Sequence, residues 1–563
     1  MSQEGIQRAG GELMTGDGAD ALITRGLLRG AGVPSELIGD RPVIGIANTW
    51  SELNPCNGGL RDIAAHVKRG VIAAGGIPLE FPTISLGEAF TRPSSMYLRN
   101  LLAMDTEEMI SSSPIDGVVL LGGCDKTLPA QIMGAVSADK PAIGLAAGPR
   151  PLSRWAGADM SIDDLWPLLD KRRTGELNDT SWAELEACLS CGVGTCNVMG
   201  TAITMAVVAE VLGMSLPGSA LLPADSPARA TIAEATGAHA VAHVESGITP
   251  TQFITTAALE NAFRVICAVG GSTNAVLHLQ AIAGRLGLGI DIEDMRRLSA
   301  ETPFLADVKP SGRMFLHDLQ ADGGVPALMG VMAPLQDLSA LAGNGRPWRH
   351  SARPMSESSN CLTSLDDPKG APGTLAVLTG SLAPRGALLK ASAATPGLYR
   401  HVGPAVVFDG VEDLRARIDD PDLLIEADSV LVLRGAGPLG GPGMPEVGHL
   451  PIPTRLLDKG VTDMVRISDA RMSGTATGTV VLHVSPESEA GGPLALVRDG
   501  DLIALDVDGL RLDLLVDERE LRQRSRRPTS LRKKARGYDH LYRHHVLQAD
   551  QGCDFDFLRG DHD

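Results

Sequence analysis

The cysteines offer the first chemistry. Three of the eight sit in polar, glycine-rich surroundings: Cys56 in NPCNGG, Cys124 in LGGCDKT and Cys196 in GVGTCNVMG. A cysteine acting as a core hydrophobe usually lies within an apolar helix or strand, as Cys267 does in RVICAVGG. The three turn cysteines stand where a thiolate can serve as ligand or nucleophile. Their spacings match no compact zinc or ferredoxin pattern. Cys188-x-x-Cys191 is half of a zinc or redox motif and has no second half.

Carboxylates gather in the same segments. Asp125 and Lys126 directly follow Cys124, Glu88 lies in SLGEAF, and Glu446 lies in GPLGGPGMPEVG. Carboxylates on turns suit Mg²⁺, which takes oxygen ligands and keeps positions open for substrate. The same residues read equally well as a surface ion pair, Asp125–Lys126, and a solvated loop glutamate. One run is deceptive. Gly435-Ala-Gly437-Pro-Leu-Gly440 satisfies G-x-G-x-x-G after the strand-like SVLVLR. A dinucleotide fingerprint must open a helix, and Pro438, Pro442 and Pro445 oppose one here. Neither a G-x-S-x-G elbow nor a Walker A sequence is present.

These groups need a frame. Pro42–Ala47, Gly117–Leu121 and Pro141–Ala146 read as buried strands. Helices are predicted over Arg61–Ala74, with Ile63, Val67 and Val71 on one face, and over Met96–Ser111, Lys126–Ala138 and Thr201–Leu212. The alternation predicts an α/β domain with a mainly parallel sheet, with Cys124 at the carboxyl end of a strand, where such sheets bind ligands. Arg346–Gly373, rich in Pro, Gly, Ser and charge, reads as a linker or long surface loop. Beyond it come TLAVLTG, PAVVFDG, SVLVLRG, DMVRIS, TVVLHVSP, LIALDVDG and RLDLLVDE, short runs parted by turns. They predict a β-rich second domain, barrel or sandwich. We place the division at 1–365 and 366–563.

Composition sets the outer bounds. The 563 residues carry a formal charge of −18, with 44% apolar and only 3% aromatic residues. This excludes a strongly electropositive nucleic-acid surface. The basic stretch RQRSRRPTSLRKKARG near the end reads as an anion- or nucleic-acid-binding segment or, favoured in so acidic a chain, as a solvated or subunit-contacting helix. No signal-peptide pattern opens the sequence, and no apolar run is long enough to span a bilayer. A cytoplasmic location is expected, without membrane partner, so the thiols should be reduced or metal-bound rather than paired.

Read together, long stretches resemble the dihydroxy-acid dehydratase and 6-phosphogluconate dehydratase family. They include NPCNGGLRDIA, GGIPLEFPTISLGEAFTRP, DGVVLLGGCDKTLPA, GTCNVMGTAITM, GGSTNAVLHL, RGAGPLGGPGMPE, ISDARMSGTATGTVVLHVSPESEAGGPLALVRDGD and QADQGCDFDFL. The SLGE and ARMSGTATG forms are most similar to the sugar-acid branch, of the L-arabinonate or D-xylonate dehydratase type. The resemblance implies a [2Fe–2S] cluster on Cys56, Cys124 and Cys196, with one iron position left open. It implies Mg²⁺ held by Glu88, Asp125, Glu446 and a carbamylated Lys126. It implies Ser473 as the base, with Thr475 beside it. It also implies an N-terminal α/β domain, a C-terminal β-barrel-like domain, and a homodimer or homotetramer with the active site between the two domains. The expected activity is that of a hydro-lyase converting a small 2,3-dihydroxy acid to a 2-keto-3-deoxy acid. The alternative is the branched-chain dihydroxy-acid dehydratase, which shares the chemistry. One departure stands out: Gly59 replaces the histidine that many members carry in CN-x-H.

Overall fold

Four parallel strands form the first sheet: β1 (Val43–Asn48), β2 (Ile77–Pro82), β3 (Gly117–Gly122) and β4 (Ala142–Ala146), in the order β2-β1-β3-β4. In this computed structural model, which describes residues 9–524 and 535–560, every residue of β1, β3 and β4 is buried. Continuous apolar strands of this kind need helices on both faces. Helix Leu60–Ala73 covers one face with Ile63, Val67 and Val71, packing on Pro227–Ser246. Arg99–Ser112 and Cys124–Ala138 cover the other, backed by Thr201–Val211, Thr256–Ala268 and Thr273–Gly284. The expected helices lie within three residues of their observed bounds. The last two of the backing helices, and Pro227–Ser246, lacked a clear sequence signal. Thr256–Ala268 and Thr273–Gly284 are buried along most of their length, and Pro227–Ser246 buries small and polar residues such as Ala233, Thr236 and Gly237 rather than large apolar ones.

Between β4 and Cys196 the chain inserts a small unit with its own core. A hairpin of β5 (Ser153–Trp155) and β6 (Ala158–Met160) and two helices, Leu165–Arg173 and Asp179–Cys188, enclose Met160, Leu177 and Leu185.

The second sheet has eight strands: β7 (Leu375–Leu378), β8 (Gly386–Lys390), β9 (Arg400–Asp409), β10 (Val430–Arg434), β11 (Arg466–Ser468), β12 (Val480–Ser485), β13 (Leu502–Asp506) and β14 (Arg511–Leu514). Their order is β14-β13-β9-β10-β11-β12-β8-β7, and a bridge between Thr379 and Arg511 brings the two edges together. The sheet is a nearly closed barrel around Leu389, Val407, Val432, Ile467, Val481, Ile503 and Leu512. β9 to β12 run parallel, and the remaining pairs are antiparallel. Seven strands match the seven runs in the sequence. The eighth, β8, has only the five residues GALLK and no alternation to mark it.

The segment Arg346–Gly373 is irregular, as expected, but it is anchored. Trp348 and Cys361 are buried, and the Trp348 indole N–H donates to the Val211 carbonyl. The C-terminal segment returns to the first half. Arg99 donates to the Gly552 and Cys553 carbonyls at 2.9 Å, and Arg285 pairs with Asp554 at 2.6 Å, both side chains fully or almost fully buried. Most of the basic stretch, 525–534, lies outside the described residues.

The crossing of Leu60–Ala73 with Pro227–Ser246 depends on glycine. A Cβ on Gly70 would fall on the Glu234 backbone, and one on Gly237 on the Val67 carbonyl. Gly70→Ala is therefore expected to force these helices apart despite alanine's better helix propensity. The cost should be about 1–3 kcal/mol, seen as a lower apparent melting temperature by circular dichroism. An unchanged or raised melting temperature would contradict this packing.

Candidate active site

Both sheets present the carboxyl ends of parallel strands to the same place. β1 leads to Cys56, β2 to Glu88 and β3 to Cys124–Lys126. β4 leads to Arg150, whose N–H donates to the carbonyl of Thr195, next to Cys196. From the barrel, β10 leads to Glu446 and β11 to Arg471–Thr475. This is the end of an α/β sheet where ligands collect.

Lys126 is fully buried and its ammonium meets three carboxylates: Asp125 at 2.5 Å, Glu446 at 3.0 Å and Glu88 at 3.1 Å. The carboxylate oxygens of Glu88, Asp125 and Glu446 lie within 4.8 Å of one another, a spacing that could hold a metal ion. Arg471, also fully buried, adds a second positive charge at 2.7 Å from Glu446, and donates to Ser94 and to the Met444 carbonyl. Ser94 and Ser95 in turn donate to Glu88. Asn274 donates to Glu446 (3.1 Å), to the Met472 carbonyl (3.0 Å) and to Thr201 (3.1 Å), tying the barrel loops to the helical half. Burial and Arg471 both oppose the charge on Lys126, but the three carboxylates outweigh them and its pKa is raised. Burial pushes Asp125 up, yet Lys126 and the hydrogen bonds to it win, holding the carboxyl down at about 2. For Glu446 burial prevails, aided by Glu88, and its pKa rises. The surface-pair reading of Asp125–Lys126 is thus replaced by a buried ion cluster.

The three thiols approach one another in the same cleft. Cys124 opens its helix with φ +59°, a left-handed geometry rarely adopted by non-glycine residues. The preceding Gly123 is required, since a Cβ there would meet Ala147 Cβ and Asn57 Oδ1, each at 2.7 Å. This sharp strand-to-helix turn sets Cys124 Sγ 3.0 Å from Asp125 and in hydrogen-bond contact with Cys56. That contact is the main cause of a lowered Cys56 pKa, while burial pushes Cys196 up to about 12. Cys267 is fully buried inside its helix, away from this group, as its apolar context implied. Cys188 ends a helix of the inserted unit and Cys191 is exposed beyond it.

Ser473 Oγ lies 2.8 Å from Thr475 Oγ1 and 3.3 Å from the Thr475 N–H. Trp166, from the inserted unit, donates its indole N–H to Thr475 Oγ1 at 2.9 Å. Gly474 is the contact point with the helical half, because a Cβ there would meet the Thr201 N and the Ser272 hydroxyl at 2.7 and 2.8 Å. Trp166, Arg471, Asn274, Ser94 and Arg150 escaped the sequence reading. Local sequence marks none of the five; Arg471 shares its run ISDARMSG with a second charged residue, Asp469.

The glycine-rich run after β10 is a loop, not a helix, as its prolines implied. Its amides are already taken: Asp469 accepts from Gly435 and Ala436, and Glu487 from Leu439 and Gly440. Carboxylates thus occupy the amides that a dinucleotide's phosphates would need. At Gly59, a Cβ would stand 3.2 Å from Val193, so a larger side chain there would press on the inserted unit.

The chain matches the family description "dihydroxy-acid/6-phosphogluconate dehydratase" twice, its N-terminal part over residues 41–349 and its C-terminal part over 360–553. It is 47% identical to an L-arabonate dehydratase of Azospirillum brasilense, covering 96% of this chain and 95% of that protein. It is 45% identical to a 6-deoxy-6-sulfo-D-gluconate dehydratase of Pseudomonas putida, covering 96% and 94%. A dihydroxy-acid dehydratase of Ignicoccus hospitalis is 38% identical, covering 94% and 96%. The chain belongs to the dihydroxy-acid/6-phosphogluconate dehydratase family and is a hydro-lyase.

The buried charge cluster makes a direct demand. Removing only the cation, as in Lys126→Met, leaves carboxylates facing one another and should destabilise the metal-free chain by about 3–5 kcal/mol. Removing one carboxylate as well, in Lys126→Met/Glu446→Gln, should recover part of that loss. Urea denaturation of the metal-free proteins measures both. A double variant less stable than Lys126→Met would show that the three carboxylates are not held together by this lysine.

Proposed function

We propose that the chain removes water from a sugar acid, a polyhydroxylated 2,3-dihydroxy carboxylate of the L-arabinonate or D-xylonate kind, giving a 2-keto-3-deoxy acid. The observation that carries this is the meeting of three thiols, three carboxylates around a buried lysine, and the Ser473–Thr475 pair where parallel strands of the two sheets end. The 47% and 45% identities to two sugar-acid dehydratases, against 38% to the dihydroxy-acid dehydratase, favour the sugar-acid branch.

The donor sets fit the groups the family implies. Cys56, Cys124 and Cys196 would hold a [2Fe–2S] cluster through three thiolates. Glu88, Asp125 and Glu446 would hold Mg²⁺ where the Lys126 ammonium now balances them, and carbamylation of Lys126 would replace that cation with a further oxygen ligand. Bound there, the two supply Lewis acidity toward the substrate's carboxylate and 2-hydroxyl and toward the departing 3-hydroxyl.

The chain itself supplies the base. Trp166 fills a lone pair of Thr475 Oγ1, which leaves the Thr475 hydroxyl hydrogen free to point at Ser473 Oγ, 2.8 Å away. With the Thr475 N–H, Ser473 Oγ receives two donors, and these stabilise its alkoxide form. Ser473 takes the hydrogen on C2 as a proton. The electrons of that C–H bond form the C2–C3 double bond as the C3–O bond breaks, and hydroxide leaves with its electron pair. The resulting enol tautomerises to the 2-keto acid, and the proton and hydroxide together make up the water lost.

The chain would act as a cytoplasmic homodimer or homotetramer on a small-molecule acid. Leu22, Ile23 and Leu27, all strongly exposed on helix Ala19–Gly30, support self-association. Among the described residues no helix is long and apolar enough to cross a membrane.

Three measurements test the reading. Under anaerobic conditions, 2-keto acid formation should be faster from L-arabinonate or D-xylonate than from 2,3-dihydroxyisovalerate, and a reversed preference would transfer the chain to the branched-chain reaction. Anaerobically purified protein should contain iron and sulfide in about equal amounts. Cys56→Ser, Cys124→Ser and Cys196→Ser should each lose them, and Cys267→Ser should not. Ser473→Ala should keep fold and iron but lose about 10²–10⁴ in rate, the usual weight of a general base. A Ser473→Ala enzyme with a near wild-type rate would assign the base elsewhere.

A further inference from the structure

We propose that Arg150 is a positioning residue of the cysteine site. It locks Cys56 to the segment bearing Cys196 and places an uncompensated positive charge beside the thiolates. The proposal rests on the iron–sulfur reading above.

Arg150 follows β4, where Pro149 bridges to Thr195. Its guanidinium reaches three separate segments. Nε donates to the Thr195 carbonyl at 3.0 Å, immediately before Cys196. Nη1 donates to Ser190 Oγ at 2.6 Å, between Cys188 and Cys191 of the inserted unit. Nη2 donates to Cys56 Sγ at 3.8 Å, within range for a sulfur acceptor. One planar fork therefore bridges two of the three candidate cluster ligands and the loop that passes over them. A lysine, with a single ammonium, cannot span these directions.

The surrounding backbone is shaped for this contact. Gly194 has φ +121°, and a Cβ there would stand 2.9 Å from both the Arg150 N and the Gly148 carbonyl. Only glycine lets the chain entering Cys196 lie this close to Arg150. The partners of the guanidinium are a carbonyl, a hydroxyl and a thiol, and no carboxylate among the described residues pairs with it. By contrast, the buried Lys126 and Arg471 are both met by carboxylates. The cleft therefore holds its positive charges in two different ways. At Lys126 and Arg471 they are neutralised by paired carboxylates, and at Arg150 the charge stays available to the sulfur.

An N–H donated to a ligating thiolate, together with a nearby positive charge, withdraws electron density from whatever the thiolate binds and favours its reduced state. The same fork fixes the distance between two ligands, so its loss should also loosen their grip. Outer-shell partners of this kind are typically worth about 10–100-fold in metal affinity.

The test uses anaerobically purified holoenzyme, comparing wild type with Arg150→Met and Arg150→Lys. Two readouts are independent of turnover: the midpoint potential, from a redox titration followed by electron paramagnetic resonance, and the rate at which visible absorbance decays on adding a chelator. Arg150→Met should show a more negative midpoint and lose its chromophore about tenfold faster or more. Arg150→Lys keeps the charge but not the fork. It should hold the midpoint near wild type and still lose the chromophore faster. A wild-type midpoint and decay rate in Arg150→Met would overturn the proposal. Should that variant not fold, a wild-type decay rate in Arg150→Lys would overturn it equally. Wild-type protein without iron and sulfide would instead sink the cluster reading on which the proposal stands.

Discussion

A buried ammonium cannot stand alone, and the molecule is arranged around that fact. Lys126 is fully withdrawn from solvent, and its charge persists only because Asp125, Glu88 and Glu446 reach it from three separate segments. Two of these follow strands of the first sheet, and the third follows a barrel strand. The carboxylates have the converse need, since without the cation their mutual repulsion in a low-dielectric site would push them apart. The ion cluster therefore holds the two sheets face to face. Arg471 and Asn274 extend the constraint, linking Glu446 to the loop that carries Ser473.

Local backbone geometry serves the same end. The left-handed turn at Cys124 and the side-chain-free approach at Gly123 put a thiol and a carboxylate on adjacent residues at the mouth of β3. Conformations of this cost persist where the surrounding structure over-determines them, and here Ala147, Asn57 and the Cys56 carbonyl all close on Gly123. At Gly474 the barrel loop touches the start of helix Thr201–Val211, so Ser473 and Thr475 are seated against the half of the molecule that carries the cysteines.

The inserted unit and the C-terminal segment add further ties between the two halves. The first sends Trp166 to Thr475 and Ser190 to Arg150. The second returns to Arg99 and Arg285 through buried hydrogen bonds and an ion pair. Neither belongs to either sheet, and each crosses between the two halves.

Much of this was open to reading in the amino-acid order. Strands such as Val118–Leu121 are continuous apolar runs, amphipathic helices such as Leu60–Ala73 show their period, and turn cysteines announce themselves by what they lack around them. The prolines after Gly437 told a loop from a nucleotide-binding turn. Apart from the groupings that the family resemblance implied, the order could not supply what depends on distance between remote segments. From the residues alone Asp125–Lys126 reads equally well as a surface pair or as part of a metal site, and only the family resemblance joined Glu88 and Glu446 to it. Arg471, Asn274, Trp166 and Arg150 carry no local pattern, because their partners lie 25, 172, 309 and 94 residues away. The strand Gly386–Lys390 and the buried helices stayed hidden for a related reason. Periodicity reports a boundary between protein and water, and an element surrounded by protein has no such boundary to report.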